Sequence, residues 1–227
     1  MRKIIFTLSF SFLVLNASAQ GVFDRISEGT TGILLRNNTI GKVDANISGI
    51  PYFDDKFSYS EISGVPEKVL TRYNAATDEV EIKREDDQKE FLLPKTTEFG
   101  KINSKFGKYI LKLVSYTTEK GEKVNGYLVE LWTNDKVSLY RRDRIKLEEG
   151  REGNGYTGYT PPKYTKAPVE YYLQLGEKIV EFPKNKKALT GIFKDKKSQI
   201  DVFFKTNDLS FKNEKDMMKI SEFVSTL

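Results

Sequence analysis

Apolar and polar residues alternate with a period of two through most of this chain, from Gly32 to Phe182. β-Branched and aromatic residues dominate the alternating runs, and turn-forming clusters interrupt them about every ten residues. This pattern is typical of an antiparallel β protein. Because a meander of about eight to ten strands has edges that must be protected, we expect a sheet that is closed or strongly curled.

The alternation divides into hairpins. Residues 68–74 and 79–83 flank a short turn. In the second run Glu79, Glu81 and Lys83 alternate with apolar residues, so we expect one face of this hairpin to be open to water. Further strands are predicted at 108–118, 124–133, 137–145, 169–175 and 178–182.

The periodicity changes to that of a helix after Pro183. Asn213 followed by Asp216 resembles an N-terminal capping box. We expect three short helices packed on the sheet, because helices this short are not stable alone. The predicted fold class is therefore α+β, mainly β, with an antiparallel meander at 20–183 and a lysine-rich helical segment at 184–227. The three apolar stripes are Leu189, Ile192 and Phe193; Ile200, Phe203 and Phe204; and Met217, Ile220, Val224 and Leu227.

Residues 1–19 have the pattern of an export signal. Arg2 and Lys3 precede an apolar run at 4–15, and Ala17-Ser18-Ala19 forms a small-residue cleavage site, so we expect Gln20 to become the first residue. No later run approaches the roughly 20 apolar residues that a membrane-spanning helix needs, so no transmembrane segment is expected after cleavage. We expect a periplasmic or outer-membrane-associated protein, with secretion from the cell as the alternative.

The sequence contains no histidine and no cysteine. This excludes Ser-His and Cys-His nucleophiles, disulfides and zinc sites of the usual kind. Carboxylate chemistry on glycans remains open, but the acidic clusters at 54–55, 85–87 and 148–149 lie in turn-like contexts where carboxylates are normally solvated. No calcium-loop spacing and no phosphate-binding glycine loop is present. We therefore expect no catalytic residue, no metal and no cofactor.

The positive charge is concentrated in the helical segment. Residues 184–227 contain ten lysines, no arginine and six acidic residues, whereas the full chain has a formal net charge of +5. Clusters of lysines that contain no arginine usually lie on the solvent-exposed faces of helices, so no nucleic-acid partner is expected.

The segment 153–164 has the composition of a binding loop. Its tyrosines, spaced by glycine and proline, offer flat amphipathic surfaces at low entropic cost, and it follows a basic strand end. The tyrosines of this segment and the arginines of the strand end are together candidates for binding an acidic polysaccharide or a carboxylate-bearing peptide. The alternative is that the tyrosines hold a long connection against the sheet. Trp132 is expected in the core. The candidate binding residues are Tyr156, Tyr159, Tyr164, Arg141, Arg142 and Arg144.

Five stretches together resemble a group of uncharacterised exported proteins of the Bacteroidetes. They are 70–82, Tyr171-Tyr172, Leu189, 200–204 and 216–227. The likeness covers most of the chain after the signal and implies bacterial origin and export. The group has no assigned activity, so the resemblance implies no catalytic residue. Proteins that these bacteria send across the outer membrane often end in a β-sandwich sorting domain, and the helical end here implies retention in the periplasm instead.

Three functions are consistent with these features. The first is a non-enzymatic accessory or binding protein of the cell envelope, holding a protein partner or an envelope polysaccharide. The second is a carrier whose curled sheet encloses an apolar ligand, an argument by analogy with small barrels. The third is a carboxylate-based glycan hydrolase.

Overall fold

The structure, a computed structural model, describes residues 36–37, 46–83, 89–104, 107–153, 156 and 158–227. For 36–37 only the backbone is described. The predicted signal at 1–19 and the acidic cluster at 85–87 lie outside the described residues.

The described residues form thirteen strands, three α-helices and one 3-10 helix. The strands are β1 (Arg36–Asn37), β2 (Ser58–Ile62), β3 (Lys68–Asn74), β4 (Glu79–Lys83), β5 (Glu90–Leu92), β6 (Lys101–Ser104), β7 (Tyr109–Thr117), β8 (Lys123–Thr133), β9 (Val137–Arg142), β10 (Ile145–Glu148), β11 (Lys163–Lys166), β12 (Glu170–Leu175) and β13 (Lys178–Glu181). The helices are α1 (Lys186–Ile192), the 3-10 helix (Lys194–Lys196), α2 (Lys197–Thr206) and α3 (Glu214–Val224). Three helices after a β-rich region confirm the predicted class.

One antiparallel sheet organises the chain. Its strand order is β1-β5-β4-β3-β2-β6-β7-β8-β9-β12-β13, eleven strands when the two-residue β1 is counted. Consecutive strands are neighbours within two runs, β2 to β5 and β6 to β9, which confirms the meander-like arrangement. Strands β10 and β11 leave this sheet and pair only with each other.

The sheet is open. Its edge strands β1 and β13 pair with β5 and β12 and not with each other, so the prediction of a closed or strongly curled sheet is wrong. Closure is unnecessary because the edges are blunted in another way. Strand β1 has two residues, and β13 has four, begins and ends with the charged Lys178 and Glu181, and is followed by Pro183. Short, charged edges resist pairing with other chains.

The alternating apolar residues form a continuous core on one face of the sheet. On β3 and β4, Tyr73 lies opposite Val80, and both are buried. The same face continues across β6, β7 and β8 through Ile102, Leu111 and Tyr127, which have 1% or less of their surface exposed. These side chains belong to one buried apolar cluster.

The helices pack on the apolar face of β8, β9 and β12. Leu189, Ile200 and Ile220 from the three helices are fully buried against Leu139 and Leu173. This burial supplies the stability that such short helices lack in isolation.

Two local predictions concern this helical region. The side chain of Asn213 accepts hydrogen bonds from the backbone nitrogens of Lys215 (2.9 Å) and Asp216 (3.3 Å), so it caps α3. Trp132 is partly buried and packs against the edge of the helix cluster, so its predicted place in the core is confirmed in part.

The second face of the β3–β4 hairpin is covered rather than open to water. Glu81 has 0% of its surface exposed, and the Arg72 guanidinium donates to its Oε2 from Nε (2.9 Å) and Nη2 (2.6 Å). That guanidinium in turn lies 3.7 Å from the ring centroid of Tyr52 and 4.2 Å from that of Phe57. The prediction that Glu81 faces water is therefore wrong. The alternation predicted which residues share a face. It did not predict that the preceding segment, which contains Tyr52 and Phe57, covers one of the two faces.

The Arg72–Glu81 pair generates the first prediction. Replacing Arg72 by Met leaves the carboxylate of Glu81 buried without its main partner, so we expect a loss of about 3–5 kcal/mol in the free energy of unfolding. Urea denaturation followed by circular dichroism measures it. The double variant Arg72→Met, Glu81→Leu removes both charges and should recover most of the loss. Equal stability of the single and double variants would contradict the assignment of a buried ion pair.

Candidate functional site

Strand β9 leaves the sheet after Arg142, so β8 has no β9 partner at Tyr127. Two side chains take the place of that strand. The backbone N–H of Tyr127 donates to Oδ1 of Asp78 (3.1 Å), and its carbonyl accepts from both terminal nitrogens of Arg144 (3.2 Å each). The backbone groups that the departing strand would have paired are thereby satisfied.

Asp78 reaches β8 because of its backbone conformation and because of the glycine that it meets. Its φ of 59° lies in the left-handed region, which Asp adopts more readily than most residues. A Cβ at Gly126 would lie only 2.3 Å from its Oδ2. The carboxylate also accepts from the Tyr73 hydroxyl (2.8 Å) and from Lys95 Nζ (3.2 Å). Burial, and then the charge of Asp78, raise the pKa of Tyr73, so its hydroxyl stays a donor.

A polar network continues from Arg144 across the second face of the sheet. The Tyr116 hydroxyl accepts from Arg144 Nη2 (3.2 Å) and from Arg142 Nε (3.0 Å). Arg142 Nη1 donates to Oε1 of Glu170 (2.6 Å), which lies directly opposite it on β12. The Tyr172 hydroxyl donates to the other oxygen of Glu170, and its ring meets that of Tyr116 edge to face at 4.9 Å. Burial raises the pKa of Tyr116, so this hydroxyl is also protonated.

The charged members of this network line a cleft of about 530 Å³. We call it the arginine cleft and define it by Asp78, Arg142, Arg144 and Glu170. It lies between the β3–β4 turn, the β7–β8 turn and the ends of the segment that joins β9 to β12. The other charged residues that line it are Glu119, Lys120, Glu122 and Lys146.

The structure separates the three predicted arginines. Arg142 and Arg144 share the cleft and both bind the Tyr116 hydroxyl. Arg141 faces the other way, since adjacent strand residues point to opposite faces. It binds Asp143 (2.8 Å) and Glu214 (2.9 Å), and so joins the sheet to the start of α3.

The predicted tyrosines also divide into two groups. Tyr156 is 100% exposed and Tyr159 is 62% exposed. Both lie beyond the Arg151–Thr160 bridge, which extends the β10–β11 hairpin toward its tip. Tyr164 is on β11, where its backbone closely approaches Gly49. Tyr164 therefore fits the alternative in which a tyrosine holds the long connection against the rest of the protein. Tyr156 and Tyr159 are instead exposed to solvent. Asn154, Gly155 and Thr157 of this loop lie outside the described residues.

The acidic residues of the two described candidate clusters differ from those of the arginine cleft. Asp54, Asp55, Glu148 and Glu149 are exposed. Asp78 and Glu170 of the arginine cleft, in contrast, are already bonded to guanidinium groups. Within the described residues no group of three or more acidic side chains is placed to hold a metal ion.

The alternation of the sequence did not indicate three residues that bind the arginines of the cleft. Asp78, Tyr116 and Glu170 come from a turn and two separate strands, and only the tertiary fold brings them to the arginines. One signal was present, because Gly126 interrupts a strand, and a glycine there often marks a close approach of another group.

No protein-family model, curated protein or solved structure matches this chain. In the described part of the chain no helix is long and apolar enough to cross a bilayer.

Gly126 generates the second prediction. The Cβ of a Gly126→Ala variant would force the Asp78 carboxylate away from Tyr127 and Arg144, so we expect a loss of about 1–3 kcal/mol in the free energy of unfolding. Urea denaturation measures the loss. Gly158→Ala is the matched control, because its Cβ would meet nothing within 4 Å, and it should change stability by less than about 0.5 kcal/mol. Equal effects of the two variants would show that the contact with Asp78 contributes no stability.

Proposed function

We propose that this chain is an exported, non-enzymatic binding protein of the cell envelope that holds an acidic envelope polysaccharide. The polymer binds at the tip of the β10–β11 hairpin, which we call the tyrosine loop and define by Tyr156 and Tyr159. One observation carries the proposal. Tyr156 and Tyr159 expose 100% and 62% of their surface at the tip of a hairpin that takes no part in the main sheet.

Exposed tyrosine rings suit sugar binding. Each ring offers an apolar face to the C–H groups of a sugar and a hydroxyl to its oxygens. Arg151 and Lys166 are exposed on the same hairpin, and they complement the negative charge of an acidic polymer. A third exposed cation, Lys163, pairs with Glu148 at 3.4 Å. The surface therefore combines stacking with charge attraction.

The base of the hairpin is fixed, which limits the entropy lost on binding. Tyr164 donates its backbone N–H to Ser48 O (2.8 Å), and Ala167 donates to Arg144 O (2.9 Å). On the other strand, the backbone N–H of Ile145 donates to the carbonyl oxygen of Ala75 (3.1 Å). A loop that is anchored before binding loses less freedom when it binds.

Export rests on the sequence. The signal-like residues 1–19 and the resemblance to exported Bacteroidetes proteins support a periplasmic or outer-membrane location. The two other functions find less support. A carrier needs an open apolar cavity, whereas the apolar side chains of the core cluster against one another. The cleft carboxylates Asp78 and Glu170 are bonded to arginines, as in structural ion pairs.

The third prediction tests the tyrosine loop. In the double variant Tyr156→Ala, Tyr159→Ala, we expect the fraction of protein that sediments with insoluble acidic envelope polysaccharide to fall tenfold or more. The free energy of unfolding of this double variant should change by less than about 0.5 kcal/mol per site, because the side chains are exposed. The control is Tyr59→Ala, which removes a partly exposed tyrosine (41%) from strand β2.

Three results would contradict the proposal. Unchanged sedimentation of the double variant would show that the tyrosines do not bind the polymer. A large loss of stability would assign them a structural role. Loss of a protein from pull-downs of envelope extract, with polysaccharide binding unchanged, would identify a protein partner in place of the polymer.

A further inference from the structure

We propose that the arginine cleft is a second binding site, which takes a small ligand bearing a carboxylate or phosphate oxyanion. It is distinct from the tyrosine loop and does not depend on the function proposed for that loop. The proposal rests on the hydrogen-bond donors that the cleft leaves unused and on the charges around it.

Arg142 retains a donor group. Its Nε and Nη1 bind Tyr116 and Glu170, while Nη2 makes no hydrogen bond to another described residue. The side chain is 21% exposed and lines the cleft, which places it where a ligand can reach it. A guanidinium nitrogen donates two N–H groups and binds oxyanions more strongly than neutral acceptors.

Tyr116 positions both guanidinium groups. Its hydroxyl oxygen accepts hydrogen bonds from both Arg142 and Arg144. The residue is only 4% exposed and does not itself line the cleft. Its role is therefore to hold the two arginines in place for a ligand, since a donor that is fixed in advance loses less freedom on binding.

The donors are fixed before any ligand binds. Glu170 holds Arg142 at 2.6 Å, and Asp78 holds Arg144 at 3.0 Å. Both carboxylates act as anchors for the guanidinium groups, which therefore need little rearrangement to receive a ligand. A partly buried guanidinium also interacts with an anion more strongly than one in open water.

The charges at the rim favour an anion. Lys120 and Lys146 have no ionic partner among the described residues, and one acidic residue of the rim, Glu122, is in the same situation. The other acidic residue, Glu119, is bound by Lys184 at 3.1 Å, which also lowers its pKa. The unpaired charge of the rim is thus positive.

The volume limits the size of the ligand. A cleft of about 530 Å³ lies within the range of small-molecule sites and fits one or two sugar units. Sugar acids and sugar phosphates both supply the required oxyanion. A polymer of many units would have to extend beyond the cleft.

Calorimetric titration of the full chain after the signal tests the proposal with three probes: glucuronate, glucose 6-phosphate and neutral glucose. We expect saturable binding of at least one charged probe, weakening with added salt, and none of glucose. Preference for one charged probe identifies the oxyanion as carboxylate or phosphate. Absence of saturable binding for both charged probes, or equal binding of glucose, would overturn the proposal.

Two substitutions locate the binding in the cleft. Arg142→Gln should weaken affinity tenfold or more, and Tyr116→Phe, which keeps the ring but removes the hydroxyl, should weaken it several-fold. Arg141→Gln is the matched control, because Arg141 is the adjacent arginine, is equally exposed at 21% and is also paired with a glutamate, but lies on the opposite face. It should bind the probe as the unmodified protein does.

The variants also distinguish loss of binding in the cleft from misfolding and from binding at the tyrosine loop. If Arg142→Gln does not fold, Tyr116→Phe and Lys120→Gln test the same cleft, and full affinity in both would overturn the proposal. The Tyr156→Ala, Tyr159→Ala variant should bind the small probe normally. Loss of probe binding in that variant would place the oxyanion on the loop and overturn the assignment to the cleft.

Discussion

The hydrogen bonds that Asp78 and Arg144 make to the backbone of Tyr127 allow the chain to leave its sheet. A buried strand cannot lose its neighbour without leaving N–H and C=O groups unpaired, and each such group destabilises the fold by about 1–3 kcal/mol. Here a carboxylate and a guanidinium, bound to each other, replace the missing strand. The β10–β11 hairpin and the cleft beside it both depend on this replacement.

Covering both faces of the sheet changes what its polar residues do. In an antiparallel sheet with one wet face, charged residues of that face are solvated and contribute little. In this protein the second face holds Glu81 with Arg72, and Glu170 with Arg142, in partly or fully buried pairs. Such pairs need several hydrogen bonds to offset their desolvation, and tyrosine hydroxyls and the Asn74 amide provide them.

The sequence predicted local features well and distant ones poorly, for a physical reason. Alternation and turn residues act over a few positions, so the bounds of β3 and β4 and the cap at Asn213 were predictable. The state of the sheet edges depends on strands far apart in the chain, and the expected closure was wrong. The same limit applies to the cleft. Alternation places Arg141 and Arg142 on opposite faces, but it does not reveal that Asp78, from a distant turn, meets Arg144.

The segment between β9 and β12 is not needed to connect these two strands. Strands β9 and β12 pair directly, with Arg142 opposite Glu170, yet residues 143–169 lie between them in the sequence. A short turn would suffice to connect two antiparallel neighbours, so the sheet does not require this excursion. The excursion nevertheless carries the exposed Tyr156 and Tyr159 at its tip and lines the cleft at its base. A segment that the sheet does not need, but that the Asp78–Arg144 pair holds in place, is best explained by what it binds.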